Sequence, residues 1–212
     1  MVYEFAHLVK EKMRFVWDGV EWMNGWLFGL IYRKELKSLP DIIENKSSDE
    51  LVVRMATKED VEMMVRFFAE QPKDAFRYFK PHGFDHNSIK KIVSNKAWIV
   101  LVAETSEFMR DNDRMVGYCF MRSFVNGVAY KGYMVDYRKR GLGISKVMGW
   151  AMNDIADILH LKMYKSISPD NVASMAATKA VNDVKVIKTL DNGDVLVECT
   201  RKKNEKGVNY DR

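Results

Sequence analysis

The sequence predicts an α/β domain built on a mixed sheet, with an extra helical segment ahead of it. Three observations lead there. From about residue 51 to residue 200, strand-length runs of β-branched and aromatic residues alternate with stretches of helical apolar spacing. Midway, the apolar run Tyr130–Val135 feeds a basic turn containing Gly141 and Gly143. After that turn Ile144, Val147, Met148, Ala151, Ile155, Ile158 and Leu159 recur as one helix face. Ahead of the alternating part, residues 15–32 hold three of the five tryptophans in a single amphipathic stretch.

At 212 residues the chain has room for one domain of ~100–200 residues plus an extension. Its 47% apolar and 30% charged content is that of a globular protein with a proper core. A net charge of +5 suits an anionic ligand and is too weak to argue for nucleic acid. Cys119 and Cys199 stand far apart without metal-ligand spacing, and no secretory signal is evident. A reducing, cytoplasmic setting without a metal site is therefore expected. The fourteen methionines read as packing filler.

Residues 1–46 form the extension. Val16, Val20, Met23, Leu27, Leu30 and Ile31 fall on one helical face, with Asp18, Glu21 and Gly25 opposite. Asp18, Glu21 and Asn24 interrupt the ~20 apolar residues that a membrane span needs. Packing on its own domain or on a second subunit, as a homodimer, is the favoured reading. Membrane-interface contact through residues 15–32 suits the aromatics and not the scarcity of Lys and Arg. Pro40 is expected to end the segment, and 44–50 reads as a linker.

The domain itself, residues 47–202, opens with a strand at Leu51–Met55. Thr57 with Asp60 marks a helix start, and Val61, Met64, Val65 and Phe68 give that helix its apolar face. Pro81 and Gly83 separate it from a second helix that reaches about Ser94. Ala97–Ala103 and Met115–Met121 read as strands, and Asn126-Gly127 as a tight turn into the strand ending at Val135. Beyond the glycine turn and its helix, a strand covers Met163–Ile167. Ser168-Pro169 then signals a short helix, over Asn171 to Val181. Val184–Leu190 and Val195–Thr200 flank Asp191-Asn192-Gly193-Asp194 as a closing hairpin, and 203–212 is a polar tail.

The glycine turn is where the chemistry points. Glycine has no Cβ, so Gly141 and Gly143 let the main chain bend and approach a ligand. The first turn of the following helix leaves its N–H groups without internal partners at the positive end of the dipole. Arg138, Lys139 and Arg140 add charge at the same spot, which suits an anion and above all a phosphate. The dinucleotide fingerprint fails, because Lys146 stands where its third glycine is required. The nucleoside-triphosphate loop pattern is absent.

Arg138-x-x-Gly141-x-Gly143 resembles the pyrophosphate-binding motif of the GCN5-related N-acetyltransferases. Arg54-x-Ala-Thr-x-x-Asp60 resembles the opening strand and helix start of that family, and Asn171-x-x-Ser174 its later motif. The order of elements over 51–200 is similar to the whole family fold; the N-terminal extension lies outside it.

The resemblance implies acetyl-CoA as cofactor and transfer of its acetyl group to a small-molecule amine by direct attack on the thioester. It implies a cofactor site of Met134, Val135, Arg138, Lys139, Arg140, Gly141, Leu142, Gly143, Ile144, Ser145, Asn171 and Ser174. The aromatic and polar mix of residues 77–84 makes an amino sugar or sugar nucleotide the first acceptor to consider, with Tyr78, Phe79, His82 and Glu104 as its contacts. Thr178 stands where many family members carry a tyrosine acid, so proton transfer falls to His82, Lys131 or Tyr133. Val181-Asn182 replaces the usual Gly-Phe, and the passage from Val135 to Arg138 is about two residues short. The alternative is a non-catalytic module that holds coenzyme A or a partner on the same fold.

Overall fold

The computed structural model describes residues 14–44, 51–105 and 115–202, the side chains of Arg14 and Phe15 excepted. Helices α1 (Arg14–Ile31) and α2 (Arg33–Glu44) precede the sheet. Its strands are β1 (Leu51–Met55), β2 (Trp98–Thr105), β3 (Met115–Ser123), β4 (Val128–Val135), β5 (Lys162–Ile167), β6 (Asn182–Thr189) and β7 (Val195–Arg201). They lie in the order β1-β2-β3-β4-β5-β7-β6. All neighbours are antiparallel except β4 and β5. A parallel pair needs a crossover, and helix α5 (Ile144–Ile158) supplies it.

Helices α3 (Val61–Glu70) and α4 (His86–Ser94) cover one face, where Val61, Met64, Phe67, Phe68 and Ile89 pack on Val100, Val102, Tyr118 and Phe120. Helices α2 and α5 cover the other, with Leu39, Ile43, Met148, Met152 and Ile155 against Val53, Leu101 and Cys119. Helix α6 (Val172–Val181) packs beside α5 on the same side.

Three local expectations are corrected. Pro40 does not end the extension but sits inside α2. A proline in a helix interior costs ~3 kcal/mol, while fully burying Leu39 and Ile43 recovers about 1.5–3 kcal/mol each. The two roughly balance, so the helix runs on. The apolar face expected to dock α1 is divided: Val16 and Leu27 are half-buried, while Val20, Met23, Leu30 and Ile31 are exposed, together with Trp22 and Trp26. Phe28 is fully buried in the core, and the face expected to be polar docks beside it. Asp18 pairs with Lys91 at 2.5 Å and Glu21 with Arg122 at 2.5 Å, and Asn24 donates to the Ser123 carbonyl at 2.9 Å. A Cβ on Gly25 would lie 2.1 Å from Asn95 Oδ1, so glycine is what permits the approach. Finally, Ser168 does not cap α6; Asn171 does, accepting the Ser174 N–H at 3.1 Å. Among the described residues, no helix is long and apolar enough to cross a membrane.

Candidate active site

Strands β4 and β5 pair over only three positions, Val128–Lys162, Ala129–Met163 and Tyr130–Tyr164. Beyond them the strands part, while β4 continues to pair with β3 as far as Val135. One edge of Lys131–Val135 is thereby left without a neighbouring strand. The gap opens into a cleft of about 1130 Å³, lined by β4 from Tyr130 to Val135, by Lys165–Ser168 and by Asn171, Ser174 and Ala177 of the α6 segment. Its far end is closed by Lys139, Arg140, Gly141, Gly143, Ile144 and Ser145.

The closing loop is held from behind and open in front. Asp136 is buried, and its carboxylate accepts the Arg138 N–H at 2.8 Å and the guanidinium at 2.7 Å. Burial opposes ionisation there, but the Arg138 contacts win and hold the Asp136 carboxyl below its ordinary range. Gln71 Oε1 accepts the Tyr137 N–H at 3.1 Å. Gly141 and Gly143 take φ values of +82° and +79°, a region that residues with a Cβ avoid. A Cβ at either would meet nothing within 4 Å. The first protein-bonded amides after the turn are those of Lys146 and Val147, both to the Gly143 carbonyl. Among the described residues, the N–H groups of Arg140, Gly141, Leu142, Gly143, Ile144 and Ser145 donate to no protein acceptor. Six donors at the N-terminus of a fifteen-residue helix, with no acid in its first turn, form a cradle for an anion.

The cleft floor near the split is polar and buried. Tyr133 lies with its hydroxyl 3.4 Å from the Ser174 carbonyl and 3.5 Å from Thr178 Oγ1, and burial raises its pKa. Lys131 Nζ donates to Asn182 Oδ1 at 2.6 Å, and Asn182 donates to Asn153 Oδ1 at 2.8 Å. Lys165, which belongs to no motif in the sequence, donates to Thr178 Oγ1 at 3.2 Å and lies 3.8 Å over the Tyr133 ring. Its one available sequence signal is alternation, since Met163, Lys165 and Ile167 share the buried face of β5.

Not every expected residue reaches the cleft. The Arg138 guanidinium turns to Asp136 and Glu70, so of the three basic residues only Lys139 and Arg140 line it. Leu142, expected in the cofactor site, is not among the residues that line the cleft, and its side chain is exposed. Tyr78 and Phe79 line the cleft, as do Asp74 and Asp194. Glu104 is buried elsewhere, accepting from Arg54 at 2.7 Å. His82 sits among Phe68, Phe84, Trp98, Tyr118 and Phe120 behind the sheet. Its Nδ1–H donates to the Gly83 carbonyl at 2.8 Å and its Nε2 accepts the Tyr118 hydroxyl at 2.7 Å. Burial pushes its pKa down to about 4. With both nitrogens occupied, His82 is corrected from catalytic base and acceptor contact to a packed, neutral ring. Among the described residues no cluster could hold a metal ion.

A mixed sheet that splits at its one parallel pair, with an amide-lined loop closing the split, defines the fold of the GCN5-related N-acetyltransferases. Solved structures agree. The chain is similar to the GNAT domain of S. lividans PAT, with a TM-score of 0.59 and 13% identity over 70% of this chain and 89% of that one. It is similar to the ribosomal-protein-S5-alanine acetyltransferase of Vibrio fischeri, with a TM-score of 0.58 and 13% identity over 76% and 97%. It is also similar to AAC(6')-Ib in complex with paromomycin and acetyl-CoA, with a TM-score of 0.55 and 12% identity over 77% and 99%. No protein-family model matches the sequence, and no curated protein matches it.

Proposed function

We propose that the cleft binds acetyl-CoA and that the protein transfers its acetyl group to a small-molecule amine. The observation that carries this reading is the run of unpartnered amides from Arg140 to Ser145, facing open space at a helix N-terminus. They would hold the pyrophosphate, with Lys139 and Arg140 screening its charge. The free edge of β4 at Met134 and Val135 would pair with the pantetheine arm, and Asn171 and Ser174 would border it. AAC(6')-Ib, bound to acetyl-CoA on the same fold, supports the assignment.

Catalysis would rest chiefly on placement. A main-chain N–H directed at the thioester oxygen is worth ~2.7–4 kcal/mol, and alignment of acceptor with thioester up to ~7–11 kcal/mol. Acid–base assistance adds a smaller ~10²–10⁴-fold, so replacement of the usual tyrosine by Thr178 leaves oxyanion stabilisation and alignment intact. Lys131 is tied to Asn182, and Tyr133 brings a phenol beside Thr178 from the neighbouring strand. For the acceptor, Tyr78 and Phe79 offer flat faces to a sugar ring, and Asp74 and Asp194 offer carboxylates to its ammonium and hydroxyl groups. An amino sugar is thus the first acceptor class. The paromomycin complex of AAC(6')-Ib favours it, and the S5-alanine acetyltransferase makes a peptide amine the comparison.

Calorimetric titration with acetyl-CoA tests the cofactor, and thiol release across amines, amino sugars and peptide N-termini tests turnover. Saturable binding with thiol release on an amino sugar is expected. Failure to bind at millimolar cofactor ends the reading. Binding without release from any acceptor leaves the non-catalytic module that the loss of the tyrosine at position 178 would explain.

A further inference from the structure

The vertex of the cleft holds two lysines in an unusual setting. Because β4 and β5 last pair at Tyr130 and Tyr164, Lys131 and Lys165 are the first residues on each strand past the split. Both are buried, both line the cleft, and among the described residues neither pairs with a carboxylate. A buried ammonium ordinarily requires an anion or a full set of acceptors. Lys131 spends its charge on the Lys131–Asn182–Asn153 chain. Lys165 has one oxygen acceptor, Thr178 Oγ1, whose own proton goes to the Ser174 carbonyl at 2.7 Å, and otherwise the face of the Tyr133 ring. Donor capacity is left over on a residue that lines the cleft.

The groups facing Lys165 favour an easily lost proton. Lys131 and Tyr133 face it from β4, Cys199 from β7 and the neutral Thr178 from α6. Burial, and after it the Lys131 charge, push its pKa down to about 7. Burial raises the pKa of Cys199, keeping that thiol protonated near neutrality. Lys165 therefore exchanges its proton in the range where the protein would work.

Resting on the acetyl-CoA reading, we propose that Lys165 protonates the thiolate that leaves when the acetyl group is transferred. The acceptor nitrogen forms a bond to the acetyl carbon, and the carbon–sulfur bond breaks with its electron pair staying on sulfur. The Lys165 ammonium gives its proton to that sulfur and becomes a neutral amine. The acceptor nitrogen loses one proton to solvent, and Lys165 regains one from solvent, so protons balance over a turnover. Thr178 orients the amine, and Tyr133 keeps it within the cleft wall.

The test follows thiol release from acetyl-CoA by the full chain across pH, with amino sugars and peptide amines as acceptors, beside calorimetric titration of acetyl-CoA. The wild-type rate is expected to fall on the alkaline side of neutrality, where Lys165 has lost its proton. Lys165→Met should slow thiol release by about 10²–10⁴-fold and lose that alkaline limb, with acetyl-CoA affinity changed by no more than a few-fold. Lys165→Arg keeps a cation but holds its proton near neutrality, so it should be as slow as the methionine form, and it provides a second variant if that form does not fold by circular dichroism. A Lys165→Met or Lys165→Arg protein with the wild-type rate and pH profile overturns the role of Lys165 while leaving the cofactor site standing. Wild type that binds acetyl-CoA and releases no thiol overturns turnover and the role of Lys165 together, and failure of wild type to bind overturns the cofactor site as well.

Discussion

Buried charge on this sheet is handled in two opposite ways. Near its first edge, Arg54 donates to Asp60 through two bonds of 2.7 Å and to Glu104 through another of 2.7 Å, while Asp60 also accepts the Thr57 N–H at 2.7 Å. Burial opposes the Asp60 charge, yet Arg54 and Thr57 hold its carboxyl below the ordinary range. Around the split between β4 and β5, by contrast, two buried lysines meet no carboxylate among the described residues, and six amides donate to no protein acceptor. The first arrangement is complete without a ligand. The second has donors in surplus around one cleft, and in the function proposed here an anion would complete it. Burial alone therefore does not separate the two regions; unmatched polarity does.

The comparison is broken most forcefully from its closed side. Asp60→Asn removes one anion from a cluster whose cation remains, and breaking a buried pair costs ~3–5 kcal/mol. Since Arg54 is about a third exposed and keeps Glu104, a loss near the lower end, about 3 kcal/mol, is expected in denaturant unfolding. Affinity for acetyl-CoA should not change. A matching fall in affinity would show that the two regions are coupled.

The open side should respond the other way round. Gly141→Trp imposes a side chain on a residue at φ +82° and fills the space in front of the amides. A loss of about 100-fold in acetyl-CoA affinity, near 2.7 kcal/mol, is expected, against a smaller stability cost of ~1–2 kcal/mol for the left-handed backbone. Unchanged affinity would mean that the loop does not bind the cofactor.

His82 sharpens the contrast through pH. Its ring titrates at about 4 when folded, against an ordinary 6.5. Below 6.5 the unfolded chain takes up a proton that the folded chain refuses, so stability should fall as pH drops from 6.5 toward 4, by at most about 2–3 kcal/mol. His82→Phe should flatten that decline in a series of unfolding midpoints. An unaltered slope would assign the proton to another group. The smallest effect is expected from Arg140→Ala: a several-fold weaker affinity for acetyl-CoA, with the difference shrinking as salt rises. A salt-independent difference would show that Arg140 acts by packing.

How far the sequence could be read depended on whether a signal was local. The strands, the helices and the turn at Gly141 and Gly143 follow from short-range periodicity and spacing, and the sheet order was accessible through the resemblance. Periodicity shows that α1 has two faces but not which one docks. Its partners Lys91, Arg122 and Ser123 lie far along the chain, as do the core residues that enclose Phe28. Arg138 reads as a phosphate ligand beside its glycines, yet Asp136 and Glu70 claim it. His82 reads as a base in a polar loop until α3, β2 and β3 surround it with rings. Lys165 was visible only as a charged residue on the buried phase of a strand, a mismatch that becomes meaningful once Thr178 and Tyr133 are placed around it.

The proposed function turns on the bare amides after Arg138, and they can be observed one by one. Backbone amide chemical shifts of a ¹⁵N-labelled protein, followed through a titration with coenzyme A, test them most directly. The N–H signals of residues 140–145 are expected to move together and saturate with the ligand. Saturable binding that leaves those six signals in place, or no binding at all, would contradict the assignment of this loop as the cofactor cradle.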